Sequence, residues 1–314
     1  MSAIIDHDFG ISTVDAVYDR PLQTSAHLIV QDGRAAVVDT GTNRAVPLIL
    51  AALAAKGVPP ERVDYVVLTH IHLDHAGGAG LLMSNLPNAR LTVHPRGARH
   101  IADPGRLVDG TVAIYGAEMT RRIYGEILPV PQDRIVETPN ESSVRLAGRE
   151  LLFLDAPGHA RHHVVVLDAR SGHIFAGDTF GLSYREVDRD GQQFVMPTTS
   201  PVQWEPDAHH ASVDMMVERR PAAIYVTHFG QVREVRRLGD DLHRLIDAYR
   251  EVALRHRDAG PDRPALLKQG VTEIVLGEAE RQRWPLAREA ILDVFGLDID
   301  LNAQGLAAWL DSLG

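Results

Sequence analysis

The sequence contains no cysteine. Disulfides, iron–sulfur clusters, thiolate zinc sites and a cysteine nucleophile are therefore excluded. Basic residues are outnumbered, 32 Lys and Arg against 42 Asp and Glu, and the net charge is −10. A chain that grips nucleic acid or an anionic membrane by bulk charge carries the opposite balance, so neither is expected as a partner. Long apolar runs are missing as well. The longest, Ala45 to Ala55, is broken by Pro47 and is too short to span a bilayer. Met1 to Gly10 holds Asp6, His7 and Asp8 where a secretory signal has a basic start and an apolar stretch, so a cytoplasmic location is expected. There is no phosphate loop, no dinucleotide fingerprint and no Gly-x-Ser-x-Gly elbow.

What the sequence has in quantity is histidine, 16 of 314 residues. His is the commonest metal ligand among side chains, so the positions of these residues come first. Their setting is an α/β pattern. His27 to Val30 and Ala35 to Val38 flank the turn signal Gln31-Asp32-Gly33-Arg34 and read as a hairpin. Short apolar runs at Val63 to Leu68, Arg90 to Val93, Val144 to Leu146, Leu151 to Asp155, Val164 to Asp168, His173 to Ala176 and Ala223 to Thr227 read as strands. Arg44 to Lys56, Asp109 to Leu128 and Asp207 to Arg219 read as helices. Beyond Gly230 the strand signal nearly vanishes, and Val235 to His256, Pro285 to Phe295 and Asn302 to Leu313 read as helices with a hinge at Pro261 to Pro264. The expected division is a catalytic α/β body over residues 1–231 and a helical extension over 232–314 that serves as lid, dimer interface or both.

The stretch Thr69-His70-Ile71-His72-Leu73-Asp74-His75-Ala76-Gly77-Gly78 follows directly on a strand. It puts four metal-competent side chains into six residues and ends in two glycines that permit a tight turn. Three more such residues each follow a predicted strand: His159 after Leu151 to Asp155, Asp178 after His173 to Ala176, and His228 after Ala223 to Thr227. Open α/β sheets place their sites at the C-terminal ends of strands. The donor count suits two ions. His70, His72 and His159 supply one, Asp74, His75 and His228 the other, and Asp178 bridges them. Nitrogen and oxygen ligands without sulfur suit zinc first, with iron or manganese as alternatives. Two such ions together hold a bridging hydroxide and polarise a carbonyl, with Asp74 and Asp178 positioning metal and water as catalytic residues.

These motifs resemble the five of the metallo-β-lactamase-fold hydrolases. Asp39, in Val37-Val38-Asp39-Thr40-Gly41, matches the first, the group His70, His72, Asp74 and His75 the second, and His159, Asp178 and His228 the remaining three. The resemblance implies a four-layered αββα sandwich with a dimetal site at one edge and Asp39 orienting the ligands from behind. Order and spacing are most similar to glyoxalase II and to thioesterases of the quinolone-signal-response type, which implies a thioester substrate, with esters or lactones next. The lactonase-like members carry a Tyr three residues after the bridging Asp; here that position is Gly181 and the nearest Tyr is Tyr184. The alternatives are an iron-loaded oxidoreductase of the same fold and a regulatory module acting through its C-terminal helices.

His163, at the start of a strand, is a candidate buttress of the ligands, whereas His209, His210, His94, His100, His243 and His256 read as surface or packing residues. The small-molecule pocket is expected from Tyr115 and Met119 on the predicted helix, from Phe180, Tyr184 and Phe194 on the long stretch Phe180 to Trp204, and from Phe229 beside a ligand. Tyr184 is a candidate donor to a developing oxyanion. A homodimer through the C-terminal helices is a candidate assembly, since cyclic dimers are the commonest, beside burial of those helices against the chain's own body.

Overall fold

The computed structural model describes residues 4–199 and 202–314. The chain forms two compact units, one of residues up to 155, 162–177 and 223–231, the other of 156–161, 178–222 and 232–314.

The first unit holds two sheets. β1 (Ile4–Asp6), β2 (Ile11–Asp15), β3 (Ser25–Gln31) and β4 (Arg34–Val38) pair antiparallel in order. The β3–β4 turn is the expected one, with Asp32 at φ 49° and Gly33 at φ 72°. Two consecutive positive φ values are what a two-residue hairpin demands, and Asp-Gly meets that demand at low cost. The chain then crosses through α1 (Val46–Ala55) to β5 (Val63–Val67), and through α2 (Leu73–Ala76) and α3 (Ala79–Asn85) to β6 (Arg90–Val93). After α4 (Pro95–Ala102), α5 (Gly105–Tyr115) and α6 (Ala117–Tyr124) it adds β7 (Ile135–Glu137), and β4 to β7 run parallel. The second sheet contains β8 (Ser143–Leu146), β9 (Arg149–Asp155), β10 (Val164–Asp168), β11 (Ile174–Gly177), β12 (Ile224–Val226) and β13 (Gly230–Val232), in the order β13-β12-β11-β10-β9-β8.

The period of two along each strand explains the layering. On β4, Ala36 and Val38 join Ile29, Val67, Phe153, Val166 and Phe175 in the core between the sheets. Ala35 and Val37 point the other way, into a second core with Ile49, Leu53, Leu82 and Met83 of α1 and α3. A strand buried on both faces must be apolar throughout, which is why its sequence shows no alternation.

The second unit carries α7 (Pro206–Glu218), α8 (Val235–Arg255), α9 (Arg263–Gln282) and α10 (Arg288–Ser312). It differs from the expected helices in two places. α9 fills the stretch after the hinge, where Leu267, Val271 and Val275 repeat every four residues and are buried. α10 is one helix where two were expected; burying Ile291, Phe295, Ile299, Ala303, Leu306 and Leu310 along one face carries it unbroken through residues 296–301. In the first unit the helix expected over 109–128 is two helices, divided at Gly116, whose φ of 77° no helix interior accepts. The stretch expected as a structureless lid is a folded-back loop in which Leu182 pairs with Met196 and Arg189 with Gln192; its residues 200–201 lie outside the described residues.

Candidate metal centre

In the first unit, β4 ends at Val38 and β5 at Val67, side by side and parallel. Asp39 is fully buried, and its carboxylate ties together the loop after β5 and the end of β12. Its Oδ1 accepts from the Thr69 backbone N–H at 2.9 Å, and its Oδ2 accepts from the hydroxyls of Thr69 at 2.9 Å and Thr227 at 2.8 Å. The fourth donor is His75 Nδ1–H, 2.9 Å from Oδ2. That bond decides the tautomer, because an imidazole that donates from Nδ1 presents a lone pair at Nε2. His228 repeats the arrangement: its Nδ1–H donates to the Gln23 carbonyl at 3.0 Å. The two Nε2 atoms converge on one carboxylate oxygen, Asp74 Oδ2, at 3.4 Å from His75 and 3.3 Å from His228. Ligand atoms of Asp74, His75 and His228 lie within 4.8 Å of one another. Two lone pairs and a carboxylate facing one point form a donor set that a divalent cation satisfies. Burial pushes the Asp74 carboxyl up, but where His75 and His228 take up a proton their charge and their Nε2–H bonds more than offset this and hold it well below the usual carboxylate range.

His70 follows the same logic. The Thr69 hydroxyl is given to Asp39, so its oxygen accepts from His70 Nδ1–H at 3.2 Å, and His70 Nε2 turns to His72 Nδ1 at 3.0 Å. The His163 ring stacks on His70 with centroids 4.8 Å apart. Glycine permits this crowding. A Cβ at Gly177, whose φ is 50°, would sit 2.6 Å from both His163 Nε2 and Thr69 Oγ1, and one at Gly78 would sit 2.9 Å from the Thr40 and Thr42 carbonyls.

In the second unit, His159 Nδ1–H donates to the Thr198 carbonyl at 3.0 Å, and Nε2 faces Asp178 Oδ2 at 3.5 Å. Behind them lies His209. Its Nε2–H donates to the carbonyl of Thr179, the residue after Asp178, and its Nδ1 accepts from Trp204 Nε1–H. Burial pushes His209 down to about 3, so it is neutral and this pair of bonds is fixed. α7 reaches this place because residue 158 is glycine: a Cβ there would lie 2.3 Å from His209 Cα.

The profile of the Metallo-beta-lactamase superfamily matches residues 19–228. The chain belongs to this superfamily. Similar proteins include the metallo-beta-lactamase fold-containing protein ST1585 of Sulfurisphaera tokodaii, 27% identical over 55% of this chain and 62% of that one. A hydroxyacylglutathione hydrolase of Stenotrophomonas maltophilia is 32% identical over 48% of this chain and 44% of its own length. The matched stretch thus spans less than half of that hydrolase. Among solved structures, the metallo-beta-lactamase family protein TTHA1429 of Thermus thermophilus superposes with a TM-score of 0.65 at 21% identity, covering 97% of this chain and 94% of that one. The fold is the metallo-β-lactamase fold, in keeping with the motifs. No helix among the described residues is long and apolar enough to cross a membrane.

The expected pocket residues of this superfamily member are placed unevenly. Tyr115 on α5 is half-buried, Met119 on α6 is 37% exposed, and Phe229 is buried beside His228. Phe180, Tyr184 and Phe194 are buried, the last two among the C-terminal helices. Tyr184 packs against Phe295 with ring centroids 5.4 Å apart and planes tilted by 47°, and Phe194 lies 4.8 Å from Trp284. The Tyr184 hydroxyl donates to Asp298 at 3.1 Å, so this phenol anchors α10 in place of the oxyanion role expected for it. Sequence reasoning passed over Thr198 and Thr227, whose partners are distant in the chain, and Trp204, and it read His209 as a surface or packing residue, where the structure buries it with a bond to the Thr179 carbonyl. It also passed over Tyr18, whose hydroxyl lies 2.6 Å from that of Tyr124. Burial, then the charge of Asp74, pushes Tyr18 above the usual phenol value; burial, Tyr18 and Asp74 do the same for Tyr124.

Proposed function

We propose that this protein is a dimetal hydrolase of thioesters. The observation that carries the reading is the convergence of His75 Nε2 and His228 Nε2 on Asp74, each imidazole locked by a bond to its other nitrogen. The His159–Asp178 pair, with its Nδ1 held by Thr198, supplies donors of the same kind. In this reading His70, His72 and His159 hold one ion, Asp74, His75 and His228 a second, and Asp178 is shared. When bound, such ions activate water at neutral pH and polarise a carbonyl.

The chain's own residues supply the rest. Asp39 keeps His75 and, through Thr69, His70 in the ligating tautomer. Tyr18 and Tyr124 stay protonated, and with Tyr115, which also bonds Tyr18, they form a cluster of phenols close to Asp74 that supplies O–H donors to a substrate oxygen. Val112, Tyr115 and Ile123 of α5 and α6 are only partly buried and offer apolar surface to an acyl group. The thioester bond class is supported by the hydroxyacylglutathione hydrolase relatives, with esters and lactones next.

The test is proton release at constant pH from metal-replete protein. The panel holds acyl- and aroyl-thioesters, lactones, simple esters, a β-lactam and a phosphodiester, with Asp178→Asn as control. Release from thioesters that disappears in the variant is the expected result. Silence across the panel, with metals bound, overturns the reading.

A further inference from the structure

Four side chains on α7 and α8 form a second constellation with no part in the centre described above. His210 and His243 have ring centroids 4.9 Å apart and planes within 9°, and their Nδ1 atoms point at each other 2.6 Å apart. His210 Nε2 lies 3.1 Å from Asp247, and His243 Nε2 lies 3.0 Å from Asp214. The pattern is two-fold. Each helix contributes a His and the Asp four residues later, and each imidazole reaches the Asp of the other helix, the crossing expected of antiparallel neighbours.

Proton counting shows what this arrangement needs. A carboxylate only accepts, so each Nε2 must be the donor. A neutral imidazole has one N–H, and both have spent theirs on Asp247 and Asp214. Two bare lone pairs then face each other at Nδ1, which is repulsive unless a cation lies between them. A proton satisfies this, and so does a metal ion. A carboxylate on the outer nitrogen is also how protein zinc sites fix and strengthen their histidine ligands.

We propose that His210 and His243 form a separate binding site for one divalent transition ion, zinc in the first place, held by the two Nδ1 atoms. Zinc–nitrogen bonds of about 2.0–2.1 Å at a tetrahedral angle set the two nitrogens about 3.3 Å apart. The nitrogens therefore separate by about 0.7 Å from the 2.6 Å seen here, and the two rings swing so that their lone pairs converge on the ion, a movement open to side chains that are only partly buried. Water fills the two remaining positions, so the ion exchanges readily and clips α7 to α8.

The probe is zinc itself. Metal-free wild type, His210→Gln/His243→Gln and Asp214→Asn are each dialysed against fixed zinc concentrations, and bound metal is counted by elemental analysis. The wild type is expected to bind one equivalent more than the double variant, with the other equivalents unchanged. Asp214→Asn is expected to weaken the extra equivalent by roughly 10–100-fold. Independently of folding in any variant, ¹⁵N spectra of the wild-type imidazoles report zinc at the two Nδ1 atoms as a shift with Nε2 still protonated. Equal stoichiometry and affinity in wild type and double variant, or Nδ1 resonances of His210 and His243 that zinc leaves unmoved, overturn the proposal and leave a proton shared between the rings. Neither outcome depends on whether the protein hydrolyses thioesters.

Discussion

At the scale of single residues, the candidate centre is a problem in tautomers. An imidazole ligates with one nitrogen only if the other has a committed acceptor, and each anchored imidazole here has a different one. His75 uses the Asp39 carboxylate, His228 the Gln23 carbonyl, His159 the Thr198 carbonyl and His70 the Thr69 hydroxyl, itself turned by Asp39. Asp39 therefore acts on two histidines at once. Asp39→Asn keeps its shape and removes its charge, and the amide presents N–H where four donors already point. The expected outcome is a loss of roughly 10–100-fold in metal affinity, read by competition with a chromophoric chelator, with circular dichroism unchanged. Affinity equal to wild type contradicts the role given to Asp39. Tyr184 makes the opposite case. Its hydroxyl is given to Asp298, so Tyr184→Phe is expected to cost about 1.5–3 kcal/mol in urea unfolding, the range for hydrogen bonds to charged groups. Turnover is expected to be unaltered; a fall in kcat at unchanged stability would return Tyr184 to the chemistry.

At the scale of elements, what was legible in the sequence is what is local. The Asp32-Gly33 hairpin, the strands ending before Asp39, His70, Asp178 and His228, and the clustered ligands of 70–75 all follow from neighbours in the chain. The residues that hold those ligands were not legible. Thr227 reaches Asp39 across 188 positions and Thr198 reaches His159 across 39, and no spacing rule encodes such meetings. The unbroken α10 was hidden for the same reason, since its length is set by the face it buries. The Arg149–Asp168 pair belongs to this class. It joins the first residue of β9 to the last of β10, both side chains buried, and the guanidinium also donates to the Phe9 carbonyl. Arg149→Ala leaves a buried carboxylate without its partner and is expected to cost about 3–5 kcal/mol in urea unfolding. Burial raises the Asp168 carboxyl, and the bonds from Arg149 and Ser171 outweigh burial, so its folded value lies below the ordinary 3.8. A depressed folded value contributes stability that is complete above the unfolded value and is lost as pH falls through the folded one. The urea midpoint is therefore expected to decline below pH about 4, and less steeply in Asp168→Asn. Parallel curves for the two proteins would remove Asp168 from the acid response.

At the scale of the whole molecule, the proposed ligands run from His70 to His228, at the ends of strands of two sheets and in the loops that follow them. An unfolded chain cannot gather donors over such a separation, so the ions bind the folded protein and scarcely the unfolded one. Binding of that kind adds stability by mass action, about 2.7 kcal/mol for one site at a free ion concentration of roughly a hundred times its Kd. Stripping with a chelator is expected to lower the melting midpoint, and zinc is expected to restore it in a concentration-dependent way. Because His210 and His243 are proposed to take an ion of their own, the measurement belongs in the His210→Gln/His243→Gln background, where only the centre at the strand ends remains. Asp178→Asn in that background removes the shared ligand, and the zinc-dependent rise is expected to shrink while the midpoint of the stripped protein stays near its parent's. A midpoint that ignores chelator and zinc alike would mean that Asp74, His75 and His228 converge for a reason other than metal, and the reading as a metallohydrolase would fall with it.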